Sequence, residues 1–308
     1  MPRMLALSCG GDRACILVGM VHAIFEDVKE DSADYDNVKY DKISGISAGA
    51  LVGAMVAQMT KDNVTYILDQ CKNIFESNTF HVVEPWICGG TIINVLYAIG
   101  WCESLFNNTA LKELLDTHYT QKPTMEFTVG ALNTNDKTYK TFHKEHSSFK
   151  DCILASASVP VVFPSVLIDG EKYEDGGMGH IIPIPEIQKF IQDNEGEHIK
   201  IDVLCCYPIH DCAAFFGVTV IQTSYALIRK LSETVAETQW HELIKDLITL
   251  SKLESDTVTI RIIHPKGGTY STFMSVDKSL CEQMFEEGKK AVKQSTVENP
   301  VLKPTLTF

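Results

Sequence analysis

Short apolar runs alternate with longer segments of helical spacing along most of the chain. Met4–Ser8 is brief and apolar, the pattern of a buried strand. A helical spacing follows, carried by Ile16, Val18-Gly19-Met20 and Ala23-Ile24. Asp31–Val38 is polar and acidic and reads as a loop. Tyr40–Ile43 reads as the end of a second strand, and Ala48–Met59 as a helix of small and apolar residues. Lys61–Glu76 and Leu111–Tyr119 are amphipathic and helical, whereas Thr79–Phe106 is irregular. Within it, Ile92–Trp101 is apolar and fits either a core helix or a lid facing lipid.

Glu126–Leu132 and Lys137–His143 predict two strands joined through Asn133-Thr134-Asn135-Asp136. Phe149–Ser158 predicts a helix ended by Val159-Pro160. Val161–Ile168 and Glu171–Tyr173 predict an extended pair around Asp169-Gly170. A helix at Pro185–Gln192, a strand at Ile199–Cys206 and a long helix from Ala213 to Leu253, with a break near Thr234, come next. Thr257–Ile263 is strand-like and Lys278–Val292 closes the pattern as a helix. Strands alternating with helices across short turns imply one α/β domain over residues 1–308 with a largely parallel central sheet. The motif-bearing core spans about 4–190, and the elements of 199–293 complete it.

Composition narrows the function. Of 308 residues, 45% are hydrophobic, enough for a substantial core. The net charge of −13 argues against nucleic-acid binding and against purely electrostatic docking on anionic lipid, while leaving contact through apolar loops open. The start of the chain runs straight into a strand-like segment and lacks the pattern of a signal peptide, and no apolar run is long enough to span a bilayer. The ten cysteines show neither C-x-x-C nor zinc-ligand spacing, so no metal or cofactor is expected. They read as reduced, mostly buried thiols in an intracellular, cytoplasmic protein, with a secreted disulfide framework as the alternative.

Three glycine turns carry the candidate chemistry. Gly45-x-Ser47-x-Gly49 has the pattern of a nucleophile elbow, although a Gly/Ser turn of this length also recurs by chance. Gly10-Gly11 lies between a strand and a helix, where N–H groups converge on an anion; alone it reads as a plain turn. It does not complete the G-x-G-x-x-G pattern of a dinucleotide site. Asp175-Gly176-Gly177 follows the second extended pair.

In this order the three turns resemble the patatin-like lipid acyl hydrolases. The likeness includes Leu7-Ser8-Cys9-Gly10-Gly11-Asp12-Arg13-Ala14, the Gly45–Gly49 elbow, Ala155-Ser156-Ala157-Ser158-Val159-Pro160-Val161-Val162-Phe163-Pro164, Asp175-Gly176-Gly177 and Pro183-Ile184-Pro185. It implies a three-layer patatin-like fold and a Ser47–Asp175 dyad acting on phospholipid or a related glycerolipid, and the lack of a metal-ligand cluster in the sequence makes that activity calcium-independent in expectation. It also implies a lipid surface as the partner, with peripheral membrane association. Gly10 and Gly11 would donate to the oxyanion, and Arg13 would contact substrate or brace the loop through a carboxylate. Cys9 and Ala14 stand where the family has glycine, which is tolerated if φ is negative there. These departures leave a catalytically weak or dead patatin-like module that binds lipid or a partner as one alternative. Cys9 is either a thiol-sensitive residue or simply a buried one. His180, five residues after Asp175, motivates the other alternative, a Ser-His-Asp esterase.

Overall fold

The computed structural model describes residues 1–26, 28, 33–76, 104, 107–160, 162–210, 226–267 and 278–295. The predicted stretch Ile92–Trp101 and the part of the long helix before Ala226 lie outside the described residues. The strands are β1 (Arg3–Leu7), β2 (Lys42–Gly45), β3 (Glu126–Asn133), β4 (Tyr139–His143), β5 (Val166–Ile168), β6 (Glu171–Asp175), β7 (Ile199–Leu204) and β8 (Val258–Ile263). The helices are α1 (Ala14–Phe25), α2 (Asp34–Val38), α3 (Ala48–Val56), α4 (Val64–Glu76), α5 (Thr109–His118), α6 (Phe149–Ser156), α7 (Ile184–Asp193), α8 (Ala226–Leu253) and α9 (Lys278–Ser295).

All eight strands join one sheet, in the order β5-β6-β3-β2-β1-β7-β8, with β4 also on β3. The run β3-β2-β1-β7-β8 is parallel throughout. The remaining pairs are antiparallel. Helices flank this mixed, mostly parallel sheet, as the α/β reading expects. Met4, Leu5, Ala6 and Leu7 of the central β1 are fully buried. A continuous apolar run suits a strand covered on both faces, and each large side chain there contributes about 1.5–3 kcal/mol.

One feature of β3 positions the site. Val129 pairs with Gly45 on one edge and Phe142 on the other, and Ala131 likewise pairs with Asp175 and Lys140. Because β4 holds one edge of β3, β2 and β6 follow each other along the opposite edge. They run toward each other, since β2 is parallel to β3 and β6 antiparallel. Their C-terminal ends, Gly45 and Asp175, therefore meet two β3 residues apart.

The turns obey local chemistry. Asp169 and Gly170 have φ of 51° and 85°, the conformation of a two-residue hairpin turn matched to strand twist. The extended run predicted from Val161 forms strand only from Val166, because the Val162 and Phe163 N–H groups turn back to Val159 O. Residues 34–38 form a short helix rather than loop: Tyr35 is buried and donates to Met59 O at 2.9 Å, so tertiary contact overrides the polar sequence. The break near Thr234 is absent, as neither glycine nor proline interrupts Ala226–Leu253.

The expectation of ten reduced thiols is also corrected. Cys15 of α1 and Cys281 of α9 form a disulfide 266 residues apart in sequence. The two helices cross with backbones touching: a Cβ on Gly19 would strike Phe285 O, and one on Gly288 would strike Ile16 O. That approach places the sulfurs together, and no sequence spacing announces it. Cys9, Cys71, Cys152, Cys205 and Cys206 are free and buried.

Candidate active site

Ser47 sits between the end of β2 and the start of α3 with φ 55° and ψ −121°. Such a backbone is costly for a residue with a Cβ, on the order of 1–3 kcal/mol, and persists only when its surroundings dictate it. Here they do. A Cβ on Gly45 would collide with Gly49 O, and one on Gly49 would lie 2.5 Å from Leu7 O and 2.6 Å from Ser8 O. The elbow thus packs on itself and on the end of β1, where Ile46 N–H also donates to Leu7 O at 3.2 Å. Both glycines are required by close approach, as the motif predicts.

The Gly10-Gly11 turn leaves β1 beside this elbow. Gly11 has φ 55°, which glycine adopts freely. Gly10 is extended at φ −174°, but a Cβ there would strike Cys206 Sγ. Among the described residues no acceptor takes the N–H of either glycine. Cys9 does not adopt a positive φ, and Ala14 is helical at φ −50°, so neither position demands glycine. The Cys9 thiol is buried, and burial followed by the nearby Asp175 charge pushes its pKa well up. A thiol held neutral in this way is a packing group rather than a reactive one. Arg13 is 5% exposed, stacks its guanidinium 4.8 Å from the Tyr207 ring centroid and reaches Gly10 O at 3.4 Å. This contact braces the turn.

Asp175 arrives from β6 and is 3% exposed. Its Oδ1 accepts the Gly177 N–H at 2.7 Å, closing the short turn Gly176–Met178. Oδ2 is buried and has no hydrogen-bond partner among the described residues. Burial raises the carboxyl to about 7, against the opposing influence of the neighbouring Ser47 hydroxyl and the Gly177 N–H. The Ser47 hydroxyl thus stands close enough to favour the charge without closing a hydrogen bond to Oδ2. Gly176 is pressed against Gly130 O, and a Cβ on Gly177 would lie 3.0 Å from Cys9 Sγ. The three predicted turns converge.

His180 does not join them. Its Nδ1 lies 2.8 Å from Asp246 Oδ1 and its ring meets the Tyr139 ring edge-on at 4.9 Å. Among the described residues no hydrogen bond connects it to Ser47 or Asp175.

Three residues escaped the sequence reading. Ser156 Oγ accepts the Ser47 N–H at 3.0 Å, and two residues later Ser158 O accepts the Asp175 N–H at 2.9 Å. The end of α6 thus holds both backbones. The matched segment Ala155–Pro164 contained Ser156, but nothing in its pattern gave the hydroxyl a partner. Asp246 lies in α8 without any motif around it.

A strained serine at a strand-to-helix turn has the backbone geometry of an elbow, and a glycine turn and a buried aspartate lie beside it. Residues 5–187, more than half of the 308-residue chain, match the Patatin-like phospholipase family, and the chain belongs to that family. No curated protein sequence matches it. Among solved structures, VipD from Legionella pneumophila is similar at 14% identity and a TM-score of 0.47, covering 96% of this chain and 66% of that one. The heterodimeric ExoU–SpcU complex from the type III secretion system of Pseudomonas aeruginosa is similar at 14% identity and a TM-score of 0.33, covering 96% and 59%. The chain spans just under two thirds of the first and less of the second. No helix among the described residues is long and apolar enough to cross a membrane.

Proposed function

We propose that this protein is a serine acyl-ester hydrolase acting on phospholipid or a related glycerolipid. Ser47 Oγ attacks the ester carbonyl while its proton passes to Asp175 Oδ2, and the tetrahedral oxyanion accepts the N–H groups of Gly10 and Gly11. The proton then moves to the departing alcohol. Asp175 next takes a proton from water, which attacks the acyl-serine, and returns it to Ser47 Oγ as that bond breaks and the fatty acid leaves. The single observation that supports this most is the unpaired Asp175 Oδ2 beside a serine held in a strained elbow.

An ordinary aspartate is a feeble base at a pKa near 3.9. Burial lifts this one to about 7, into the range where a base works at neutral pH. Side chains and backbone N–H groups carry every charge in this scheme, so activity in excess chelator should equal that without it. Arg13 serves by bracing the donor turn through Tyr207 and Gly10. The Ser-His-Asp alternative draws no support from His180, which is committed to Asp246. Nor do Cys9 and Ala14 support a dead module, since both fit without a left-handed backbone.

The substrate is presented at a lipid surface, which the protein engages peripherally. Turnover of a mixed-lipid dispersion, followed by mass spectrometry of released fatty acid and lysolipid, tests the reading. Release by the wild type, but not by Ser47→Ala or Asp175→Asn, is expected. A folded wild type that releases nothing from any glycerolipid sinks it.

A further inference from the structure

A fourth element reaches the candidate site from behind, through one side chain of α8. Asp246 is 2% exposed. Its Oδ2 accepts the N–H groups of Ile181 at 2.8 Å and Ile182 at 2.9 Å, and its Oδ1 lies 2.8 Å from His180 Nδ1. All three bonds fall on one strap, His180–Ile182, which continues directly from the Asp175-Gly176-Gly177 turn. The other side of the strap faces the donor turn: Ile181 O accepts the Cys9 N–H at 2.9 Å. At its near end, the N–H groups of Gly179 and His180 both return to Gly176 O, at 2.9 and 3.0 Å. One buried carboxylate is therefore bonded to the short segment that joins the proposed base to the proposed oxyanion donors.

We propose that Asp246 is a positioning residue, which fixes the Gly10-Gly11 donor turn against Asp175 by pinning the His180–Ile182 strap. His180 acts here as a ligand of that pin. Asp246 lies outside residues 5–187, so the family match assigns it nothing. The bonds are charge-assisted on a buried acceptor, the kind that fix geometry most firmly. Small displacements at a donor turn are expensive: about 1 Å of misplacement lowers rate on the order of 100-fold, and loss of one oxyanion donor by about 10²–10³-fold. Asp246 reaches the reacting atoms only through the strap, so its loss should appear in kcat and not in KM.

This inference rests on the hydrolase reading, and its test is built to separate the two. Steady-state kinetics of Asp246→Ala, Asp246→Asn and Asp246→Glu should be set beside those of Asp202→Asn. Asp202 is a buried carboxylate that holds Tyr40 and Arg261. Asp246→Ala should lower kcat about 100-fold with KM within about threefold. Asp246→Asn keeps an acceptor oxygen for the strap and should recover to within about tenfold of wild type. Asp202→Asn should lower Tm while leaving kcat per folded molecule within about twofold. If Asp246→Ala does not fold, Asp246→Glu carries the test: it preserves charge, shifts the oxygens by one methylene and should cost about tenfold in kcat. Wild-type kcat in the folded Ala or Glu variant overturns the proposal, as does an equal kcat loss in Asp202→Asn. Amide hydrogen exchange at Cys9 reads the same pin without any turnover. It should accelerate at least tenfold in the Ala or Glu variant, and unchanged exchange overturns the inference even where hydrolysis is absent. Absence of hydrolysis in wild type with accelerated exchange in the variant would count against the hydrolase reading alone.

Discussion

Two aspartates buried in the same sheet have opposite surroundings. Asp202 on β7 is fully buried and fully occupied: Tyr40 donates to Oδ2 at 2.7 Å, Arg261 Nε to Oδ1 at 2.7 Å, and Arg3 lies 3.7 Å from Oδ2. Among the described residues, Asp175 on β6 has one N–H on Oδ1, no hydrogen-bond partner on Oδ2 and no cation beside it, and burial lifts its carboxyl to about 7. The first carboxylate holds the sheet together. The second is left basic and unsatisfied, which weakens the fold and, in the proposed mechanism, equips it to accept a proton. A buried polar atom without a partner costs about 1–3 kcal/mol, so its retention is the mark of a group that waits for something.

The contrast can be broken in order of effect. Ser47→Ala removes the proposed nucleophile and should lower kcat by about 10⁴-fold or more, with an unchanged circular dichroism spectrum. Hydrolysis at a tenth of the wild-type rate would move the chemistry elsewhere. Asp175→Asn should lower kcat about 10²–10⁴-fold while raising Tm at pH 8. The sign follows from protons: the folded carboxyl titrates near 7 and the free one near 3.8. The folded state therefore binds more protons between those values, and stability falls as pH rises through that window. The asparagine variant escapes this loss, so its advantage should be larger at pH 8 than at pH 3.

The same shift sets the pH profile. With Asp175 as base, kcat/KM should rise tenfold per unit below pH 7 and level off above it. An acid limb near 4 would mean the carboxyl is not held neutral. Asp202→Asn should do the reverse of Asp175→Asn, costing about 3 kcal/mol by denaturant titration with kcat of the folded fraction intact. The smallest change is Ser156→Ala, which frees the Ser47 N–H and should cost about 1 kcal/mol and roughly five- to tenfold in kcat. Ser156→Thr, which retains the hydroxyl, should recover most of it.

The sequence was legible where function is written locally. Gly45 and Gly49 have to be glycine because the elbow packs on itself and on the end of β1, and such close approaches recur as a motif. Most strands and helices followed from apolar periodicity, including the hairpin at Asp169-Gly170. What stayed hidden depends on tertiary pairing. The Cys15–Cys281 bond follows from a helix crossing that only the fold defines. Asp246 looks like any polar position of α8 until the strap docks on it. Tyr35 makes a helix of a stretch whose composition says loop. The meeting of β2 and β6 on one edge of β3 is likewise a matter of register, and it brings Ser47 to an aspartate over a hundred residues away.

The central claim is that Ser47 is a nucleophile made reactive by Asp175. A fluorophosphonate bearing a lipid-like alkyl chain, followed by intact-mass and peptide mapping, tests it directly on wild type and Asp175→Asn at pH 8. The account predicts one adduct per chain, located on Ser47, formed at least 100-fold more slowly in the asparagine variant. A folded wild type that takes no adduct, or an Asp175→Asn variant labelled at the wild-type rate, would contradict it.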